Sequence, residues 1–390
     1  MGRKNAWQAC KKNINQNKNG KITSVFTNSA TDGIVNQREY FDKDIANKKS
    51  LNNYYLVEDG DYVYNPRISV HAPVGPLSKN RLGITGAMSP LYTVFRFNDK
   101  QNSFYEYYFQ TSHWYKSIKA ASNTGARFDR MSITASAFME IPVLYISLPE
   151  QQKIASCLSS LDELIATHNE KLEALKNHKK GLMQNLFPQE GQKVPNYRFP
   201  EFKNDGEWVE KKLGDAADFI NGRAYKKEEL LTSGKYRVLR VGNFFTNNEW
   251  YYSDLKLGED KYCDNGDLLY AWSASFGPRI WKEEKVIYHY HIWKVVERSD
   301  IDKQFLFVLL DFETENIKTA QARGLGMQHL TKSGIESWES RIPPTKEEQQ
   351  KISSSFSAID ELITAQSEKI EQLQQHKKGL MQGLFPKIDS

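Results

Sequence analysis

The stretch HKKGLMQNLFP runs from His178 to Pro188, and HKKGLMQGLFP runs from His376 to Pro386. Ten of the eleven residues recur, 198 positions apart. The repeat extends backward at the same offset. EQQKI at Glu150–Ile154 matches EQQKI at Glu348–Ile352, and DELI at Asp162–Ile165 matches DELI at Asp360–Ile363. Over 150–188 against 348–386, 25 of 39 residues are identical. An Ile-Pro pair precedes each copy, at Ile141-Pro142 and Ile342-Pro343.

Both copies have a helical period. In the first, Ile154, Leu158, Leu161, Ile165, His168, Leu172, Leu175, Lys179, Leu182 and Leu186 step by four and three without a slip. In the second, Ile352, Phe356, Ile359, Ile363, Gln366, Ile370, Leu373, Lys377, Leu380 and Leu384 do the same. That is a heptad seam with apolar a and d positions. Pro188 and Pro386 end the helices, because proline cannot continue the hydrogen-bond ladder. Each helix is expected to reach roughly 54 Å at about 1.5 Å per residue. An apolar stripe of that length needs a partner, and the other copy in the same chain is the expected one. An antiparallel intramolecular coiled coil brings the polar seam residues His168 and Gln366 together near the centre, where a buried polar pair fixes register. The other arrangements are packing of each helix on its own domain, or dimerisation through the helices.

Between the helices lie two segments of similar size, 1–141 and 207–342, joined through a linker at 189–206; helical regions occupy 142–188 and 343–390. The segments are weakly related. Trp7 and Trp208, Phe104 and Phe305, and Gly125 and Gly326 are each 201 apart. EDGDYVYNPR (Glu58–Arg67) parallels DNGDLLYAWSASFG (Asp264–Gly277), a turn followed by a β run. YTVFRF (Tyr92–Phe97) and HIWKVV (His291–Val296) alternate as strands do. Each segment is therefore expected to be an α/β (α+β) globule, and the chain to read head, helix, head, helix, with pseudo-two-fold cyclic symmetry.

Charge separates the heads. Residues 1–149 hold 19 Lys+Arg and 11 Asp+Glu, a net of +8, whereas 199–345 hold 21 and 24, a net of −3. A basic first head suits a polyanion; the second needs a local basic patch to do the same. The three cysteines, Cys10, Cys157 and Cys263, are dispersed, as reduced thiols in a cytoplasm are, and have no CxxC zinc spacing. The polar start of the sequence does not read as a signal peptide, and no apolar run approaches the roughly 20 residues of a membrane span.

Catalytic motifs are scarce. YNPR (Tyr64–Arg67) lacks the second proline and the aromatic of an NPPY-like amine-methylation loop. There is no GxGxxG after a strand and no GxxxxGK[ST] phosphate loop. KEEK (Lys282–Lys285) is a chance-level nuclease match. His289 and His291 share one strand face with no third metal ligand, and read as sheet residues.

The twofold pattern IP…EQQKI…LDELI…HKKGLMQ.LFP, each time after a variable domain, resembles the specificity subunit of type I restriction-modification enzymes. RFPEFKNDGEWVEKKLGD (Arg198–Asp215) is similar to that family's entry into a target-recognition domain, and GDYVYNPR and GDLLYAWSASFGP to its strand signatures. Before the first head, Trp7 alone stands for that entry. The resemblance implies two target-recognition domains, each binding half of a split, asymmetric double-stranded DNA target, with helices that set the gap. It further implies two methyltransferase (modification) subunits as partners, and restriction (translocase-nuclease) subunits in the full complex. S-adenosylmethionine, ATP and Mg belong to those partners and no cofactor to this chain.

Contacts to phosphates and base edges need Lys, Arg, Asn, Gln or Ser in accessible loops. In the first head the candidates are Arg67, Lys79 and Arg81 in NPRISVHAPVGPLSKNR, with Arg127 and Arg130 in NTGARFDR. In the second they are Arg223, Lys226 and Lys227 (FINGRAYKK), Arg240 and Asn243 (RVGNFF), Ser273, Ser275 and Arg279 (WSASFGPR), and Arg323, Gln328, His329 and Lys332 (RGLGMQHLTK). The competing reading is a non-enzymatic coiled-coil scaffold whose heads bind proteins.

Overall fold

A computed structural model describes residues 7, 10–13, 15–41, 48–99, 102–122, 129–245, 247–273, 275–322 and 330–385. The chain divides into two compact units, Met1–Asn169 with Glu368–Ser390, and Glu170–Ser367.

Unit 1 is built on two four-stranded sheets. One is wholly antiparallel, in the order Cys10–Lys12, Thr93–Phe97, Tyr62–Tyr64, Leu77–Lys79. The other runs Gly33–Asn36, Val25–Ser29, Gly86–Met88, Tyr55–Val57, with a parallel pair at its centre. Unit 2 repeats both. Its antiparallel sheet runs Ala217–Asn221, Ile292–Glu297, Leu268–Ser273, Ser275–Ile280. Its second sheet runs Tyr251–Ser253, Tyr236–Leu239, Val286–Tyr288, Tyr262–Cys263, again with the parallel pair central. A two-stranded ribbon, Val209–Lys212 with Glu339–Ile342, is added in unit 2.

The matched turns explain the GD dipeptides. Gly60 and Gly266 sit at φ +83° and +89°, where a side chain is strained. The aspartate that follows accepts from the backbone N–H three residues before it: Glu58 N to Asp61 at 2.8 Å, Asp264 N to Asp267 at 2.8 Å. Each carboxylate also takes a cation from the adjoining strand, Arg96 on fully buried Asp61 and Lys294 on Asp267.

The two long helices are Leu148–Leu186 and Lys346–Leu384, 39 residues each. The first begins a little earlier than the repeat, with Pro149 in its opening turn, where its missing N–H costs nothing. All twenty residues of the two seams are buried or half-buried. Within unit 1, Ile154, Ala155 and Leu158 share a core with Leu380, Met381, Leu384 and Phe385. Within unit 2, Leu182, Met183, Leu186 and Phe187 share one with Ile352 and Phe356. In both, the start of one helix meets the end of the other, so the pairing is antiparallel. His168 is half-buried and Gln366 buried.

The repeated phrase has two tasks. Its first lysine bonds the repeated DELI aspartate of the other helix: Lys179 to Asp360 at 2.7 Å in unit 2, Lys377 to Asp162 at 2.5 Å in unit 1. Its phenylalanine enters a head. Phe187 lies 6.1 Å from Phe305 and 4.7 Å from Phe312, while Phe385 lies 5.3 Å from Phe104. Phe187 is 1% exposed and Phe385 0%, so each is a core residue of its unit.

The stretch 189–206, expected as a linker, is folded onto unit 2. Arg198 forms a bidentate pair with Glu348 (2.8 and 2.7 Å), and Trp208 Nε1 donates to the same carboxylate at 3.3 Å. Side-chain exposures of 8% and 1% make this an ion pair removed from water. The corresponding Glu150 is exposed, and Trp7 donates instead to the Ile141 carbonyl, at 2.6 Å.

Stability should follow burial. Phe187→Ala and Phe385→Ala should each cost about 3–5 kcal/mol, as large-to-small core changes do. Hydrogen exchange should localise the loss to unit 2 for the first and unit 1 for the second; loss spread evenly over both would contradict the two-plug reading. Arg198→Ala, which strands a buried carboxylate, should also cost about 3–5 kcal/mol. The half-exposed Asp360→Ala should cost under about 1 kcal/mol in the same denaturation series.

Candidate nucleic-acid interface

The candidate residues fall into matched places in the two units. In unit 1, the chain leaving Tyr62–Tyr64 runs into Asn65-Pro66-Arg67; in unit 2, Leu268–Ser273 ends at Trp272-Ser273.

In unit 1, Asn65 is buried and donates to the Asn28 carbonyl (3.1 Å), which fixes the turn that presents Arg67. Gly75 packs so tightly there that a Cβ would stand 2.1 Å from the Asn65 carbonyl oxygen. Arg67 is exposed and bridges through its backbone to Arg130. Arg130 stands 3.6 Å from Asp129, with its Nε buried and unpartnered. Arg81 is committed to Glu106 by a bidentate contact.

Lys79 corrects the expectation of an accessible loop cation. The Pro- and Gly-rich stretch around it conceals the strand Leu77–Lys79, which pairs with Tyr62–Tyr64. Lys79 is consequently buried, 5.8 Å from the Tyr62 ring centroid, and desolvation pulls its ammonium below the ordinary lysine range. Arg127 lies outside the described residues.

In unit 2, three of the expected loops converge. Tyr288–His291 threads between Gly222-Arg223 and Leu239: Arg223 N donates to Tyr288 O (3.1 Å), Tyr290 N to Arg223 O (3.0 Å), and His289 N to Leu239 O (2.9 Å). Gly222 is required here, since a Cβ would meet the His289 carbonyl at 2.4 Å. The result is a surface of aromatic and imidazole rings. Trp272 lies 5.0 Å from His291, edge to face, and Tyr290 lies 4.0 Å from His291 and 4.4 Å from His289. Trp272 continues inward by stacking on Trp293 (5.5 Å), which stacks on Tyr270 (5.9 Å). Its Nε1 donates to the Tyr290 carbonyl at 2.9 Å.

Burial first, then His291 and Arg240, pull the His289 pKa down to about 4; burial also lowers His291. His289 is therefore a neutral imidazole near pH 7, able to donate from one nitrogen and accept at the other.

The other candidates are distributed around this surface. Arg223 is held by Glu229 (2.7 and 3.0 Å) and lies over Tyr225. Lys226 and Lys227 are exposed. Arg240 lies 4.2 Å over Tyr251, and exposed Arg279 lies 5.3 Å over Phe244. Asn243 spends its amide donors on the Asn247 and Glu249 carbonyls, and its buried Oδ1 has no partner. Half-buried Ser273 pairs with Ser275 at the hairpin tip. Lys332 stands 3.5 Å from Glu336. Arg323, Gln328 and His329 lie outside the described residues.

Sequence reasoning did not single out Trp272, His289, Tyr290 and His291 as candidates. The alternating YHYHIW signals only a strand face; that this face is left open at its end depends on three distant loops. Among the described residues no three His, Cys, Asp or Glu side chains converge as a metal site. No described helix is long and apolar enough to cross a membrane.

Known proteins share this design. The chain is 28% identical over 264 residues to the type I restriction enzyme MjaVIII specificity subunit of Methanocaldococcus jannaschii, matching 63% of this chain and 61% of that one. The putative MjaX specificity subunit of the same organism is 28% identical over 264 residues, 65% of this chain and 60% of the relative. The chain thus spans about three fifths of these curated relatives. Two solved structures share the fold. A chain from a study of complex assembly and conformational transition of the type I R-M system superposes with TM-score 0.61 at 12% identity, covering 98% of this chain and 96% of that one. The type I restriction-modification S subunit from M. genitalium superposes with TM-score 0.57 at 14% identity, covering 99% and 96%. The model of the type I restriction modification DNA specificity domain matches residues 8–177 and again 205–375, and the chain belongs to that family, with two copies of its domain.

Proposed function

We propose that this chain is the DNA sequence-specificity subunit of a type I restriction-modification complex, each head binding one half of a bipartite, asymmetric duplex target. One observation carries the reading. The heads keep one topology yet differ at the matched presenting positions, Asn65-Pro66-Arg67 against Ala271-Trp272-Ser273, while the helices that bear them share 25 of 39 residues. Same frame and different contact chemistry is what two independent readers of one polymer require.

The helices set the spacing and receive two methyltransferase subunits. Identity between the copies persists at exposed positions that the seam does not need: Leu164 and Leu362 (43% and 56% exposed), Glu163 and Glu361, Lys171 and Lys369, His178 and His376. Two like surfaces suit two copies of one partner. Restriction subunits complete the cytoplasmic assembly. Catalysis, with its S-adenosylmethionine, ATP and Mg, belongs to those partners; this chain is a non-catalytic reader.

Two outcomes test this. The purified chain, given methyl donor or Mg²⁺ and plasmid, should neither transfer methyl groups nor cut; activity without partners would refute the assignment. Replacing residues 1–141 by another head of the family should change one half of the methylated motif and leave the other intact, as read by methylome sequencing. Simultaneous change of both halves would refute independent reading.

A further inference from the structure

Resting on the reading of the second head as a DNA reader, we infer that Arg240 is its specificity-determining residue and that it recognises a guanine.

The arginines of unit 2 differ in where they spend their charge. Seven are described. Arg198 pairs with Glu348, Arg223 with Glu229, Arg237 with Glu283 and Glu284, Arg298 with Asp218, and Arg341 with Glu210. Among the described residues, Arg240 and Arg279 alone have no carboxylate. Both are held by a ring instead, Arg240 over Tyr251 and Arg279 over Phe244. Stacking engages the face of a guanidinium and leaves its in-plane donor fork open. In a head whose net charge is negative, two uncommitted forks one short helix apart are a local basic site.

The two differ in burial, and that separates their roles. Arg279 is exposed, as a phosphate contact is. Arg240 is half-buried and its Nε is buried without any hydrogen-bond partner. The Nε itself is sealed from solvent, as that of carboxylate-paired Arg237 also is, so the donors Arg240 can offer an acceptor from outside are those of its two terminal nitrogens. The walls fit a base rather than another ion. His289 on one side is neutral, and its ring clusters with Tyr290, His291 and Trp272 into a mostly aromatic surface. An arginine fork matches the O6 and N7 acceptors of guanine in the major groove, whereas adenine puts an amino donor at the matching position.

The test is selection of a randomised duplex library by the full-length chain assembled with its methyltransferase partner, at several salt concentrations. The unaltered protein should yield a bipartite motif with a guanine in one half. Arg240→Ala should relax that position alone, lowering the preference for guanine roughly 5- to 150-fold, the usual yield of one bidentate base contact. Arg240→Gln, which keeps a long polar side chain, should move it toward adenine. Arg279→Ala should keep the motif, weaken all sequences alike, and reduce the log–log salt slope by about one. If Arg240→Ala or Arg240→Gln binds DNA with the motif unchanged, or the loss appears in both halves, the assignment of Arg240 is overturned while the specificity-subunit reading stands. No motif from the unaltered chain overturns both.

Discussion

An apolar stripe running the length of a 39-residue helix cannot remain in water, and the molecule is arranged around covering two of them. The apolar seam residues are individually ordinary leucines, isoleucines and one phenylalanine, interrupted by His168, Lys179, Gln366 and Lys377. Together they bury enough to hold an antiparallel pair without help from surface charge. Charge does a different job. Lys179–Asp360 and Lys377–Asp162 are half-exposed and contribute little energy, yet each is satisfied only when one copy of the repeat lies against the other in one register. Hydrophobic burial supplies the stability, and the reciprocal ion pairs reject neighbouring alignments.

From that frame follows the freedom of the heads. Each is stapled to the helices by the same devices: a phenylalanine plug and a glutamine that bonds a helix N-terminus in the head. Gln151 accepts from Asn102 at 2.8 Å, and Gln349 accepts from the Asp302 backbone at 2.8 Å. Asn102 and Asp302 in turn accept from the Phe104 and Phe305 N–H groups in the first turns of the helices that begin at Phe104 and Lys303 (2.9 Å in each case). Beyond these shared attachments, the matched strand ends carry different residues in the two heads. Asn65-Pro66-Arg67 follows the strand in one head, and Trp272-Ser273 ends the matching strand in the other.

The helices were legible because period and repetition are local signals, readable from Ile154 to Leu186 without knowledge of any contact. The shared head topology was half legible: the GD turns align, since Gly60 and Gly266 need the same backbone conformation, but the parallel central pairs leave no trace in sequence. The candidate interface was least legible. Lys79 looked like a loop cation because Pro76 and Gly75 stand beside it, yet strand pairing with Tyr62 buries it. Arg223 and Arg240 look equivalent in sequence, and only the position of Glu229 shows that one is committed and the other open. His289 and His291 were set aside because a metal needs a third ligand; their neighbours Trp272 and Tyr290 come from another strand and from between them.

The order in which the units can close is inverted by the plugs. Unit 2 is one continuous run, Glu170–Ser367, and holds Phe187 from the outset. Unit 1 takes its share of core from Leu380 to Phe385, nearly three hundred residues after Phe104, which it must meet. On a ribosome the first head therefore emerges first and is finished last, waiting with an uncovered face until the whole of unit 2 has been made. A chain stopped short after Ser367 would carry its injury at the opposite end of the sequence, in the amino-terminal head.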